Sequence, residues 1–140
     1  MIAEAVPENA PITRPFCSTC PVIIGIGGLI TQTKHIIPLA KVCREEHPDA
    51  LIVAGGGFLS SMPFEMMKWI PEFDIGVIGE AYHTWPDVLD EYQRGKNWRR
   101  IKGLVYREGK KVKLSGMRPL LTEEEMDDDI PWPDYELAPV

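Results

Sequence analysis

The stretch DALIVAGGGFLSSMP, residues 49–63, is the strongest indication of the fold. Its apolar run ends in three consecutive glycines, and two serines and Pro63 follow shortly after. A short, unbroken apolar run is typical of a strand that is buried on both faces of a sheet. Glycines directly after such a strand either let the backbone turn at positive φ or let a large ligand lie against the backbone.

Two other segments repeat this layout. Residues 22–26 are an apolar run rich in isoleucine, and residues 74–78 continue from Asp74 into isoleucine, glycine and valine; each segment is followed by glycine. Apolar residues at helical spacing predict helices over 34–46, 63–70 and 84–94. The alternation of strands and helices predicts a parallel sheet covered by helices and joined by right-handed crossovers.

Three local features refine this prediction. Pro38 is expected in or near the first turn of its helix, so that the regular helix begins late. Thr84 and Asp87 match a capping box at the start of the third helix. Residues 101–106 and 111–114 alternate between apolar and polar around Gly109, which predicts a β-hairpin.

Composition and charge limit the class of protein. The chain has 140 residues, 44% of them hydrophobic and 26% charged, which fits one globular domain or a piece of a larger protein. Its formal net charge of −6 argues against binding to nucleic acid or to an anionic membrane surface. The sequence contains neither an apolar run long enough to span a bilayer nor a secretory signal pattern, so a cytoplasmic protein is expected.

Groups suited to catalysis or metal binding are sparse. Cys17 and Cys20 form a single C-x-x-C pair, and a zinc or iron–sulfur site needs about four ligands. Together with Cys43 they are interpreted as reduced thiols, and we predict neither a catalytic residue nor a metal ligand in this chain. Phosphate-binding and dinucleotide-binding glycine motifs are absent from the sequence.

The predicted organisation has three parts. Residues 1–20 form an irregular lead-in, 21–115 an α/β domain with its hairpin, and 116–140 an acidic, proline-rich linker toward a further domain. All three predicted parallel strands end in glycine at the same edge of the sheet. Because ligands bind outside the carboxyl ends of the strands in open parallel sheets, this edge is predicted to form a binding rim.

Four segments in this order resemble a known family. They are DALIVAGGGFLSSMPFEMM, DIGVIGEAYHTWPDVLDEY, IKGLVYREGKKV and DIPWPDYEL, within residues 22–138. The pattern resembles the cobalamin-binding domain that precedes the catalytic barrel in radical S-adenosylmethionine enzymes, including the magnesium-protoporphyrin IX monomethyl ester cyclase-like Fe–S oxidoreductases. The resemblance implies a flavodoxin-like, three-layer α/β sandwich with a mainly parallel sheet. The segment ahead of residue 22 is too short to supply the first strands of that family's fold.

The resemblance also implies a ligand, a corrinoid lying across the carboxyl edge of the sheet. The positions that match the family's ligand-binding loops are Gly27, Gly28, Leu29, Thr31, Gly55, Gly56, Gly57, Gly79, Glu80, Ala81 and Tyr82. Bulky substitutions at Gly55 or Gly56 are then expected to abolish corrinoid retention and to leave the fold largely intact. The D-x-H-x-x-G motif, whose His supplies a lower axial ligand in other cobalamin domains, is absent.

The remaining cofactors would belong to another domain. The family's C-x-x-x-C-x-x-C motif is absent here and is expected beyond the P-W-P-D-Y linker. A 4Fe-4S cluster and S-adenosylmethionine would therefore be bound by a C-terminal radical S-adenosylmethionine domain, the main partner of this chain. Methyl transfer to unactivated carbon or ring formation on a tetrapyrrole-like substrate is the chemistry that the resemblance implies for the whole enzyme.

Two alternatives stay open at this point. In the first, the fold is a scaffold or interaction domain with a degenerate corrinoid site, and its exposed edge strands allow a homodimer. In the second, a small flavodoxin-like hydrolase or redox protein uses Cys17 and Cys20 or His83. The second alternative lacks a recognisable pair of nucleophile and base.

Overall fold

The computed structural model describes residues 23–129, which contain a five-stranded sheet and four α-helices. In chain order the elements are β1 (Ile23–Gly27), α1 (Thr33–Glu46), β2 (Leu51–Gly55), α2 (Gly57–Ser61), α3 (Pro63–Trp69), β3 (Ile75–Val77), α4 (Thr84–Arg94), β4 (Leu104–Glu108) and β5 (Lys111–Leu114). Single turns of 3₁₀-helix span Ile30–Gln32 and Trp98–Arg100. Among the described residues, none of the helices is long and apolar enough to cross a membrane.

The strands lie in the order β1-β2-β3-β4-β5. The first three are parallel, with Ile23 opposite Leu51 and Val53 opposite Ile75. The hairpin β4–β5 joins the same sheet, because β4 pairs antiparallel with β3. The predicted mainly parallel α/β fold with a C-terminal hairpin is confirmed.

Helices cover both faces of the sheet. Ile52 and Ala54 of β2 pack into a core with α1, α2 and α3, while the alternate residues Leu51 and Val53 pack toward α4. This alternation follows from the two-residue period of a strand. We refer to the two surfaces as the α1 face and the α4 face.

Gly76 of β3 marks the tightest part of the α1-face core. A Cβ atom at this position would lie 2.5 Å from Leu59 Cδ2 and 2.8 Å from Val105 Cγ1. We therefore expect Gly76→Ala to overpack the core and to lower the free energy of unfolding by about 1–3 kcal/mol. Urea unfolding measures this loss.

Gly25→Ala in β1 is the matched control, because a Cβ there meets no atom of the described part of the chain within 4 Å. A Gly76→Ala protein as stable as Gly25→Ala would contradict this view of the core.

Two helix starts differ from the prediction. α1 begins at Thr33 and contains Pro38 in its interior, so the helix does not begin late. Pro38 removes the N–H that would bond the carbonyl of Lys34. Both residues are exposed, so water can satisfy that carbonyl.

The predicted capping box at the start of α4 does not form, so that prediction is wrong. His83, not Thr84, precedes the helix, and its side chain makes no capping hydrogen bond. Thr84 is fully buried, and a Cβ at Gly103 would lie 3.2 Å from its hydroxyl. Thr84 therefore packs in the interior, where tertiary contacts outweigh its local preference for a capping position.

α2 lies within the glycine- and serine-rich stretch and was not predicted. It begins immediately after Gly56, and its Phe58 and Leu59 are fully buried. The Phe58 ring lies 6.1 Å from that of Phe73 between ring centroids. Burial of Phe58 and Leu59 stabilises α2, which local propensity alone would not favour.

Two arginines organise the amino edge of the parallel strands. Arg44, in the last turn of α1, donates hydrogen bonds to the carbonyls of Pro48, Ala50 and Glu72 and to the Asp74 carboxylate. Arg107 of β4 donates to the carbonyls of Phe73, Met67 and Ile70. Carbonyls at helix and strand ends need such donors when they are buried.

Residues 23–120 belong to one compact unit, and residues 121–129 belong to a second. In the second unit, Glu125 N–H donates to Thr122 Oγ1 at 3.2 Å and Thr122 N–H donates to Glu125 Oε2 at 2.8 Å. This reciprocal pair is a capping box at the start of a helical segment that ends in a π-helical turn, Glu125–Asp129. The predicted lead-in and residues 130–140 of the predicted linker lie outside the described residues.

Candidate functional site

Three loops meet at the carboxyl edge of the parallel strands. The loop after β1 contacts the loop after β2, because Phe58 N–H donates to the Gly28 carbonyl at 3.2 Å. The loop after β3 contacts α2, because Gly79 N–H donates to Ser60 Oγ at 2.9 Å. We call these connected loops, residues 28–32, 56–61 and 79–83, the binding rim.

The eleven residues predicted to bind the ligand all lie on this rim or at the strand ends beneath it. Gly28 and Gly55 are half-buried and the others are exposed. The structure therefore brings the predicted positions together at one edge of the sheet.

Gly56 has a structural reason to be glycine. Its φ is 84°, and a Cβ there would lie 2.9 Å from both N and O of Gly28. Any other side chain would strain the backbone and push the two loops apart. The expectation that a bulky residue at Gly56 leaves the fold largely intact is therefore wrong.

Gly55 is different, because no atom of residues 23–129 lies within 4 Å of the position that its Cβ would take. By strand alternation Gly55 lies on the α4 face, as do Gly25 and Gly27 of β1. Gly27 pairs with Gly55 and Gly25 with Val53 in the parallel register. These three glycines, which we call the glycine floor, leave a strip of bare backbone beside the binding rim.

Exposed apolar side chains border this strip. Leu29 is 62% exposed and Ile30 47%, and Tyr82 lies across the rim at 39%. The Tyr82 ring meets His83 edge-on, with 5.1 Å between centroids. Clustered exposed apolar side chains are one feature of surfaces that bind ligands or partners.

The sequence analysis missed three contributors to this site. Gly25 was read as part of a buried strand, although its spacing of two from Gly27 places both on one face. Ser60 bonds the loop after β3, and Gln32 accepts the Leu29 N–H at 2.8 Å. Spacing could have revealed Gly25, and the contact of Gln32 with Leu29 is local, whereas the contact of Ser60 with Gly79 depends on tertiary structure.

The described residues give little support to metal or thiol chemistry. Residues 23–129 contain no cluster of His, Cys, Asp and Glu suited to a metal ion. Burial raises the pKa of the Cys43 thiol, which keeps it protonated at neutral pH. Cys17 and Cys20 lie outside the described residues.

The fold and the rim define the class of structure: a flavodoxin-like α/β domain with its open site at the carboxyl edge of the parallel strands. Among solved structures, the chain is similar to the radical S-adenosylmethionine methyltransferase TsrM from Kitasatospora setae with cobalamin and a [4Fe-4S] cluster bound. The TM-score is 0.65 and the identity 18%, over 76% of this chain and 20% of that one. It is also similar to the cobalamin-dependent S-adenosylmethionine radical enzyme OxsB, with a TM-score of 0.61 and 20% identity over 80% of this chain and 15% of that one.

A sequence relative comes from Pyrococcus horikoshii. It is an uncharacterized methyltransferase, 30% identical over 120 residues, which are 86% of this chain and 26% of the relative. The chain thus spans about a quarter of the length of that protein and a smaller share of the two solved enzymes. No family model matches the chain.

Proposed function

We propose that this chain is the cobalamin-binding domain of a radical S-adenosylmethionine enzyme and that it holds a corrinoid across the binding rim. The observation that carries the proposal is the glycine floor, where bare backbone on the α4 face meets three connected loops at the carboxyl edge. A flat macrocycle with a long tail needs both a broad rim and a path along the sheet that is free of side chains. Gly25, Gly27 and Gly55 provide such a path.

The residues present fit a corrinoid. A Cβ at Gly25 or Gly55 would stand in otherwise open space, so glycine keeps that space available to a ligand. Leu29, Ile30 and Tyr82 would contact the apolar edge of the ring, and the loop amides would face its polar substituents. When bound, the cobalt would supply methyl-carrying chemistry, while these residues bind and orient the corrinoid. Without a D-x-H-x-x-G motif, we expect the corrinoid to be held without a histidine from that loop.

Methyl transfer is the reaction that we favour for the whole enzyme over ring formation. The Pyrococcus horikoshii relative is described as a methyltransferase, and TsrM is a radical S-adenosylmethionine methyltransferase. In this proposal the 4Fe-4S cluster and S-adenosylmethionine bind a separate C-terminal domain. The chain would then position the corrinoid for that domain and perform no radical chemistry by itself.

Corrinoid binding is tested with the 140-residue chain. We expect added hydroxocobalamin to shift its visible absorption bands and to co-elute with the protein in gel filtration. Bovine serum albumin treated in the same way controls for non-specific retention. An unchanged spectrum together with complete separation of corrinoid and protein would refute the proposal.

A scaffold role is the second candidate, and the edge strand β1 favours it. Within residues 23–129, β1 pairs with β2 alone and carries only isoleucine and glycine, whereas the other edge strand, β5, carries Lys111 and Lys113. Uncharged edges tend to pair with another strand, and lysines discourage such pairing. In this case the chain forms a homodimer in light scattering and retains no corrinoid.

A further inference from the structure

A cavity of about 310 Å³ lies at the amino edge of β2 and β3, the edge opposite to the binding rim. Its charged and aromatic lining residues are Arg44, Asp49, Asp74, Lys96, Trp98 and Arg107. The proposed corrinoid function does not use any of these groups. A concave site of this size fits a small organic ligand.

Arg107 presents a fixed positive charge to this cavity. Its Nε donates to the Phe73 carbonyl at 2.7 Å, and its Nη2 bonds the carbonyls of Met67 and Ile70. Its Nη1 group makes no hydrogen bond within the described part of the chain. The guanidinium is thus held in place by neutral acceptors and keeps two N–H donors available.

Lys96 is a second cation without a carboxylate partner. Its Nζ lies 4.4 Å from the centroid of the Tyr92 ring, and it forms no salt bridge with residues 23–129. A cation over an aromatic face keeps its full charge and its ability to bind an anion. Lys96 follows Gly95 at the end of α4 and has a φ of 59°, the only positive value for a non-glycine residue among those described.

The carboxylates of the cavity differ in how they are engaged. Asp74 accepts hydrogen bonds from Arg44 at 2.7 Å and from Ile52 N–H at 2.8 Å, so its charge is balanced locally. Asp49 is exposed and forms no salt bridge with the described residues. Asp74 and, outside the cavity lining, Glu72 are close enough to Arg107 to interact with its charge. Arg107 and Lys96 therefore offer donors to the cavity, whereas the exposed carboxylate of Asp49 in its lining opposes an anion.

We propose that this cavity binds the oxyanion of a small molecule, a phosphate or a carboxylate, through Arg107 Nη1 and Lys96 Nζ. The Trp98 ring forms an apolar wall for the rest of the ligand. Charge-assisted hydrogen bonds to a fixed guanidinium and an ammonium group are the usual means of oxyanion recognition in proteins.

The test is a titration of the ¹⁵N-labelled 140-residue chain with sodium phosphate and, separately, with sodium acetate, followed by NMR. We expect saturable shifts of the amides of 96–98 and of the Arg107 Nε–H, weakened by added NaCl. The two probes show whether the site prefers phosphate or carboxylate. Absence of saturable shifts with both probes would overturn the proposal.

Two variants sharpen the test because their expected effects are opposite. Lys96→Gly removes the ammonium group and also relieves the positive φ, so the fold is kept and binding weakens roughly tenfold. Asp49→Asn removes the opposing carboxylate and strengthens binding by up to about fivefold. Weaker binding by Asp49→Asn would instead indicate a cationic ligand and would overturn the proposal.

Lys34→Gln is the matched control, because it removes one positive charge from the start of α1, at the opposite edge of the sheet. We expect it to bind both probes as the wild type does. Equal weakening in Lys34→Gln and Lys96→Gly would mean that net charge, not this cavity, attracts the anion, and would also overturn the proposal.

Discussion

Replacement of Gly55 by leucine is expected to weaken the binding of hydroxocobalamin, and with it the retention in gel filtration, while the chain stays folded. The leucine side chain would enter space on the α4 face where no atom of the described residues lies within 4 Å of its Cβ. Displacing a ligand from this space costs about 1–3 kcal/mol if the neighbours adapt partly, or roughly a 5- to 150-fold loss of affinity. The free energy of unfolding should change by less than about 0.5 kcal/mol, since the added Cβ meets no atom of the described residues within 4 Å.

Gly56→Ala separates the structural role proposed for Gly56 from the ligand-binding role proposed for Gly55. It adds one carbon atom but clashes with the Gly28 backbone at a φ of 84°, so we expect a loss of about 1–3 kcal/mol of stability. Urea unfolding and corrinoid titration of both variants give the comparison. Unchanged corrinoid affinity in Gly55→Leu would show that the ligand, if it binds, does not use the glycine floor.

The largest loss of stability is expected for Arg107→Met. Methionine keeps much of the apolar stem but leaves the carbonyls of Met67, Ile70 and Phe73 without their guanidinium donor. Because buried acceptors that lose their partner carry a desolvation cost, we expect the free energy of unfolding to fall by roughly 2–4 kcal/mol. Burial lowers the pKa of Arg107, yet the group stays charged at all ordinary pH values, so this loss should not depend on pH.

Arg94→Met is the control for this prediction. The Arg94 side chain is 73% exposed and pairs with Asp90 at 3.6 Å across one turn of α4. Exposed pairs of this kind contribute about 0.3–0.5 kcal/mol. Urea midpoints of the two variants that differ by no more than this amount would contradict the role given to Arg107.

The carboxyl and amino edges of the sheet carry different kinds of groups. At the carboxyl edge, loops rich in glycine leave space and expose apolar side chains. At the amino edge, Arg44 and Arg107 connect helix ends, strand ends and loops through carbonyl contacts. Ligands of parallel sheets generally bind outside the carboxyl ends of the strands. The oxyanion proposed for the amino edge would instead be bound by cationic side chains.

Most of the secondary structure could be predicted because it depends on short-range patterns. The apolar runs before Gly27 and Gly55 form strands β1 and β2. The run before Gly79 contains β3, which ends at Val77. Helix α2 escaped prediction because its five residues are held by the burial of Phe58 and Leu59 and not by propensity. The capping role of Thr84 failed for a similar reason, since packing against Gly103 outweighed a local hydrogen bond.

The sequence by itself determined the order of elements, the parallel strands and the gathering of glycines at one edge of the sheet. Periodicity and turn residues suffice for these features, because they act between neighbours in the chain. Only the tertiary structure decided that Gly56 is needed for a positive φ and a close contact with the Gly28 backbone, whereas Gly55 leaves space beside the sheet. It also decided that Arg107 reaches the carbonyls of Met67 and Ile70. Such differences depend on which atoms from distant segments come within a few ångströms, and adjacent glycines in a sequence look alike until those neighbours are in place.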